Sequence, residues 1–561
     1  MQRSIWLFLF LISLALVPAG LAQTTSAAPA QFAENPPENP APSPPPDPAK
    51  GPVPAEPRPD GVTVGQENLY WVAPAARFFA LIDMENSRIN ARLWGPKIDR
   101  TVALYLNRLA AQGRVAGLAG VLYDNRDRGH SRLDPAFFPQ LTPLFYSPDL
   151  VKRGWDYGLA ETILFPAITI GNSSTAITAG RAPRSLPRLA MTNPTGPQRA
   201  LQNYAADHIY VYPEHRDHDA TDRYPANWPY MLISQGSSGS DQPFLRTIAL
   251  IIASFTPETR ARLRAEHLVA PTVQMVFRRA QTAVRTRAAY FSGAAHPTVF
   301  DKSALNPTRM MALANSLTPD SIPPVVVLSV KSEDFVGKTG LLGRSERLFS
   351  TPSAIARIWR GWAWEKQMVV SAGRTRDPNN RPLRFTWVLL RGDPERVKIT
   401  PLDDRGQQAR ITVNWQDARQ ILPNDPRTSN RVDIGVFASN GVHDSAPAFV
   451  SISFPTHQIR RYAPDPTGRI RLAEIDYDAA GRKAAFDPVL HWSAPWRDRF
   501  KYGPSGRLTG WLRTPSGDNL PPLQFAPSGR LLDGRQVIYE MARDGSFKMA
   551  FPAPATISPQ N

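Results

Sequence analysis

The residues best suited to chemistry crowd into one stretch, 212–241. Tyr212-Pro213-Glu214-His215-Arg216-Asp217-His218-Asp219, followed by Asp222, sets two imidazoles and several carboxylates at the end of a strand-like run. His215, His218 and Asp219 carry the nitrogen and oxygen donors of a divalent-metal site, zinc among the candidates. The same spacing suits a solvated loop in which Asp and His satisfy each other, and Arg216 in its middle repels a cation. Downstream, Gln235-Gly236-Ser237-Ser238-Gly239-Ser240-Asp241 separates a strand-like 230–234 from a helical 242–255. A serine at such a strand–turn–helix apex is where a nucleophile elbow sits, which makes Ser237, Ser238 and His215 catalytic candidates. The elbow pattern is broken, because Gly236 precedes Ser238 but Ser240 follows it. Gly236, Ser237, Ser238, Gly239 and Asp241 equally suit ligand capture by free backbone N–H groups at a helix start. Capping of that helix by Ser240 or Asp241 is the third reading.

Two more polar turns follow apolar runs. Gly171-Asn172-Ser173-Ser174-Thr175 comes after 167–170, and Asp124-Asn125-Arg126-Asp127-Arg128-Gly129-His130-Ser131 after 119–123. At the carboxyl edge of a parallel sheet these turns would form one polar rim. The elements needed to hold them there are legible. Residues 98–113 have helical spacing, as do 242–255, 257–266 and 271–284, while 162–165, 208–212, 230–234 and 325–328 are short continuous apolar runs. Strands without alternation, interleaved with helices, predict an α/β layered domain over 61–335.

Residues 1–23 have the charge, apolar run and small-residue exit of a signal peptide, so the protein is expected to be exported, to the periplasm or beyond. Residues 24–60, dominated by Pro, Ala, Glu and Ser, predict a disordered spacer. The chain has no cysteine, which excludes disulfides, an acylated lipoprotein cysteine and any thiolate site. No later apolar run reaches spanning length, so no transmembrane segment is expected after leader removal. Lys and Arg number 65 against 48 Asp and Glu, a formal charge of +17. An envelope polymer or an acidic surface protein would complement it. The charge is scattered and Arg-heavy, as GC-rich coding produces, and no recognition motif accompanies it, so nucleic acid is not an expected partner.

After a linker at 336–366, the texture becomes short strands and turns. Asp377-Pro378-Asn379-Asn380-Arg381-Pro382-Leu383-Arg384-Phe385-Thr386-Trp387, with Asn440-Gly441 closing a later strand, resembles a PKD- or cadherin-like module. The resemblance covers 367–455 and implies an immunoglobulin-like sandwich with Trp387 as its anchor. Arg391-Gly392-Asp393-Pro394 stands where that family has a glycine-rich turn, which marks the chain as divergent. Recurring Gly-Arg pairs (Gly468, Gly481, Gly506, Gly529, Gly534) predict hairpins through 456–561, similar to the tyrosine-aspartate repeats of bacterial surface proteins. Taken together, 212–241, 271–279 and 292–297 resemble an uncharacterised family of exported bacterial proteins, which implies an envelope setting and no particular catalytic residue. Trp359, Trp362, Trp364, Trp492 and Trp496 are either a sugar platform or core anchors. The expected function is recognition of an extracytoplasmic ligand at the cell envelope. The alternative is an exported hydrolase using a His215/His218 metal or Ser238.

Overall fold

Parallel strands that alternate with helices must lie between two covering layers, and their sequences lose any polar face. The computed structural model describes residues 52–84, 92–159, 162–177, 183–340, 343–422, 425–456, 458–479, 490, 492–516, 521–542 and 546–551. In it, β1 (Val62–Val64), β4 (Leu122–Asn125), β5 (Thr142–Tyr146), β7 (Thr169–Asn172), β10 (His208–Pro213) and β11 (Leu232–Ser234) form a parallel sheet of order β1-β5-β4-β7-β10-β11. Every residue of β10 is buried. A smaller sheet joins β2 (Leu69–Val72), β3 (Arg77–Ala80) and β6 (Ile163–Leu164), and β8 (Ala176–Ile177) pairs with β9 (Arg184–Ser185). The helices are α1 (Arg100–Ala111), α2 (Pro148–Lys152), α3 (Leu186–Thr192), α4 (Gly196–Ala205), α5 (Gln242–Ser254), α6 (Pro257–Ala265), α7 (Val269–Arg279), α8 (Arg287–Tyr290) and α9 (Pro307–Ser316). The apolar run in α5 is core: Ile248, Ile251 and Ile252 are fully buried. At about 1.5 Å per residue the helix is near 20 Å long, well short of a bilayer core. No helix among the described residues is long and apolar enough to cross a membrane.

The C-terminal part is all β, as expected. One sheet runs in the order β12 (Ser329–Glu333), β15 (Glu365–Ser371), β18 (Gln408–Asn414), β17 (Val397–Pro401). The other runs β13 (Arg347–Thr351), β14 (Ala354–Ile358), β22 (Ala448–Ser453), β21 (Val432–Ser439), β16 (Arg384–Arg391). A short ribbon pairs β19 (Arg419–Gln420) with β20 (Thr428–Ser429). Two expectations need correction. Residues 336–366 are not a linker: they supply β13 and the fully buried β14, so the sandwich begins with β12 rather than at 367. Nor is Trp387 the central anchor. It is only half-buried, with its indole N–H donating to Gly406 O (2.7 Å), while Trp359 and Trp415 fill the core against Phe454. The Asp-Pro-Asn-Asn turn forms as read: Asp377 Oδ2 accepts from the N–H groups of Asn379 and Arg381, with Asn380 in the left-handed region (φ 58°).

Beyond the sandwich, β23 (Ile459–Pro464), β24 (Ile470–Asp476), β25 (Trp496–Tyr502), β26 (Leu508–Pro515) and β27 (Leu523–Phe525) make an antiparallel sheet in chain order, and β28 (Ile538–Met541) pairs with β29 (Phe547–Ala550). Gly468, Gly506, Gly529 and Gly534 all turn with positive φ. Gly481 lies outside the described residues, as do the leader and residues 24–51 of the spacer. The end of that spacer departs from expectation, because Val53 N–H donates to Glu67 O (3.0 Å) and buried Ala55 bridges to Ile82.

The sandwich docks on the α/β core. Leu348, Phe349, Ala354 and Ala356 pack into the latter's apolar cluster. Beside them lies a buried ionic group. Arg431 bonds Asp222 (2.9 Å) and Asp433 (2.8 Å), and Arg391 pairs with Asp222. Burial alone would raise the Asp222 pKa, but the two guanidinium groups outweigh it and hold it well below the usual range.

Candidate functional site

The register of three strands decides what meets at the carboxyl edge. Leu122 and His208 both lie opposite Thr169, and Asn125 and Val211 both lie opposite Asn172, so the loops after β4, β7 and β10 leave the sheet side by side. The chain runs from β4 to β5 on one side and later returns to β7 on the other. That makes β4 a switch point, the place where open α/β sheets set their ligand crevices. Gly171 permits the close packing beneath it: a Cβ there would lie 2.2 Å from the Tyr210 ring and 2.6 Å from Asp124 O.

Beneath the sheet edge, Asp124 accepts from buried Arg126 (2.6 Å) and Tyr210 (2.6 Å) and from half-buried Tyr146 (2.9 Å). Above it, Ser174 is the node. Its N–H (3.0 Å) and Oγ–H (2.9 Å) both donate to Asp127 Oδ2. A hydroxyl that donates there accepts from His130 Nδ1 (2.7 Å), which leaves His130 Nε2 for another partner. His215 Nε2 donates to the Ser174 carbonyl (2.6 Å), so its Nδ1 is an acceptor. Two imidazoles and a carboxylate thus converge on one serine. The His130 side chain is 65% exposed and that of Asp127 only 3%. Asp127 Oδ1 is buried and accepts no hydrogen bond among the described residues.

A second carboxylate lies alongside. Asp241 accepts from Ser131 Oγ (2.7 Å) and Asn172 Nδ2 (2.7 Å), and Ser131 Oγ in turn accepts from Gly239 N–H (3.0 Å). Burial raises the Asp241 pKa against those hydrogen bonds, and Asp127 adds to the rise. Glu214 is buried and pushed up to about 7, even though His218 N–H and Gly236 N–H donate to it. Burial lowers the His215 pKa, partly opposed by its bond to Ser174. The backbone here is strained: Arg128, Ser131, His215 and Arg216 are non-glycine residues with φ between 46° and 70°. Left-handed non-glycine residues cost about 1–3 kcal/mol each and gather where function fixes the geometry.

The residues singled out from sequence fare differently. His215 reaches the crevice, but His218 faces the docked sandwich, with Nδ1 3.6 Å from Asp222 Oδ1, and Asp219 is exposed. The expected metal set is therefore corrected: the three side chains do not gather, and no group of three His, Asp or Glu among the described residues could hold a metal. Ser237 and Ser238 are exposed and make no side-chain hydrogen bond to an imidazole. The elbow reading fails for that reason, since no base reaches the hydroxyl. Anion capture at Gly236 and Gly239 fails too, because their N–H groups already donate to Glu214 and Ser131. Asp241 stands at the N-cap position of α5 but makes no capping bond, its carboxylate being turned to Asn172 and Ser131. Ser240 Oγ likewise pairs with Ser234 Oγ. The polar rim from the other two turns is present; what the sequence did not show was Ser174 at its centre. Among the tryptophans, Trp359 and Trp496 are core, and Trp362 stands edge-on to Trp511 rather than in a flat platform.

No family model matches the chain, and no curated protein matches it. Among solved structures, it is similar at 11% identity to a nucleoside hydrolase-related hypothetical protein from Saccharophagus degradans that is associated with carbohydrate metabolism. The match covers 55% of this chain and 66% of that one, with a TM-score of 0.19. A score that low carries no inference about fold or activity.

Proposed function

We propose that this is an exported recognition protein of the bacterial envelope that holds a small, hydroxyl-rich ligand over the carboxyl edge of its six-stranded sheet. One observation carries the reading: buried Asp127 holds the Ser174 hydroxyl, which in turn fixes the exposed His130 imidazole so that its Nε2 is presented at the sheet edge. An imidazole whose Nδ1–H is already committed offers Nε2 as an acceptor, and a ligand O–H or N–H would complete it. His215 Nδ1 supplies a further acceptor at the same serine. The signal-like leader and Pro-rich spacer support export, and the PKD-like module and hairpin tail are the usual equipment of surface proteins.

The test is thermal unfolding in the presence of neutral monosaccharides, disaccharides and polyols, with D127A as control. A true ligand at a hundredfold excess over its Kd stabilises the protein by about 2.7 kcal/mol. That gain should vanish in D127A. No response from any compound in the set, or a gain unchanged in D127A, would refute the reading.

A second reading, hydrolysis, is favoured by the placement of Ser174 Oγ between a carboxylate and an imidazole. As Oγ attacks an acyl carbon, its proton passes to Asp127; the acyl–oxygen bond then breaks, the leaving alcohol takes that proton, and water attacking the acyl-serine returns a proton to Oγ as the acid departs. Turnover of p-nitrophenyl acetate that S174A abolishes would support it; turnover equal in S174A would exclude it.

A further inference from the structure

Away from the sheet edge, the helical side of the α/β unit and the sandwich leave a cleft of about 770 Å³ between them. Arg279 of α7, Arg285, Arg287 of α8 and Arg309 of α9 line one side, and the turn after β21, with His443 and Asp444, lines the other. Four guanidinium groups thus face one carboxylate, and that carboxylate is spoken for. Arg287 grips Asp444 with both arms, Nε to Oδ2 at 2.8 Å and Nη2 to Oδ1 at 2.9 Å. Arg309 is fixed by neutral acceptors only, the carbonyls of Gln281 (2.7 Å) and Val284 (2.8 Å), which orient it and leave its charge intact. Arg279 lies over the Tyr290 ring, 5.7 Å from its centroid, and pairs with no carboxylate among the described residues. Arg285 makes no ion pair or hydrogen bond among the described residues. His443 adds no compensation, since burial pushes its pKa down, Asp444 opposes this and Arg381 adds to it.

Three uncompensated positive charges held in one concavity repel each other, and an anion relieves that repulsion. Guanidinium groups also match the oxygen geometry of phosphoryl and carboxyl groups through paired hydrogen bonds. The volume falls within the roughly 300–1,000 Å³ typical of small-molecule sites. We infer that this cleft binds a small anion carrying two or more negative charges on phosphoryl or carboxyl groups. Bound there, it touches both the α/β unit and the sandwich. The inference is independent of the crevice around Ser174, because no residue is shared.

Isothermal titration of the purified protein with inorganic pyrophosphate, and separately with citrate, tests it. Binding of at least one is expected at low salt and should weaken several-fold as salt screens the cleft. R285E should lower the affinity about tenfold or more, and the R279A/R285A double variant further still. Arg285 is exposed and supports no contact, so R285E should fold like wild type and settles the matter alone if the double variant does not fold. Pyrophosphate binding without citrate assigns a phosphoryl ligand, and the converse a carboxylate one. Binding of neither, or binding unchanged in R285E, overturns the inference.

Discussion

Glu214 should make the protein lose stability between weakly acidic and neutral pH. Its carboxyl is buried at the end of β10, and its pKa is pushed from 4.5 up to about 7 by burial, with Asp219 and Asp217 adding to the rise. In the unfolded chain the group ionises near 4.5, while the native state keeps its proton to higher pH. The native state therefore binds more protons through this window, and stability falls as pH rises from about 4.5 to about 7. At full strength the difference corresponds to about 3 kcal/mol, and to about 2 kcal/mol once partial solvent screening near the sheet edge is allowed for. Glu214→Gln removes the titration. It also leaves one of the two donors, Gly236 N–H or His218 N–H, without its acceptor, a pH-independent loss of about 1 kcal/mol. The two effects predict a crossing: E214Q less stable than wild type by about 1 kcal/mol at pH 4.5, and more stable by about the same amount near pH 8. Urea unfolding followed by tryptophan fluorescence at both pH values measures this. Stability profiles that run parallel across the window would refute the assignment of a raised carboxyl pKa to this site.

Other expectations follow from packing and charge. Gly171→Ala drives a methyl group into the Tyr210 ring and Asp124 O; a loss of about 1–3 kcal/mol in urea unfolding is expected, and a neutral effect would contradict the close approach. Asp222→Asn leaves Arg391 and Arg431 facing each other with only Asp433 between them, so a loss of about 3–5 kcal/mol should accompany earlier proteolysis around 214–223. Trp359→Ala empties the sandwich core and should cost about 3–5 kcal/mol, whereas Trp387→Ala, at a half-buried position, should cost clearly less in the same denaturation series.

The sequence pattern exposed the fold better than the site, for a physical reason. Continuous apolar strands such as 208–212 and helical spacing such as 242–255 are local signals, and a buried parallel sheet leaves no other way to satisfy them. The strand Ala354-Ile355-Ala356-Arg357-Ile358 is masked in sequence by an arginine that the fold buries. Arg357 is tolerated there because Glu333, Phe349 O and Ser350 satisfy it, partners that only the folded sheet supplies. The site was harder still. His215 and His218 look equivalent in sequence, but two left-handed residues, His215 and Arg216, turn the chain between them and send the imidazoles to different neighbours. The turn at Ser238 resembles a catalytic motif in sequence, yet its hydroxyl meets no base. Ser174 lies in a similar turn, and only the alignment of β4 with β7 shows that Asp127 and His130 reach it.

The turn that carries His215 also leads from the site into the interface with the sandwich. The segment after β10 begins at Glu214 and His215 inside the site and ends at Asp222 inside the interface. Asp222 is held there by Arg391 and Arg431 and by a backbone bond from its N–H to Thr428 O (3.2 Å). Between the two ends, Asp217 accepts from Ser185 N–H and Arg188, and Arg223 N–H returns to Asp217 O. Both ends and the middle are therefore pinned, and the strained conformation at His215 and Arg216 sits in the short span between fixed points. Strain of about 1–3 kcal/mol per residue persists only where surrounding contacts outweigh it, here the bonds to Glu214 and Asp217 on either side. The sandwich thus fixes the far end of this segment at Asp222, while Glu214 and Asp217, both held within the α/β unit, bracket His215 and set its imidazole against the Ser174 carbonyl.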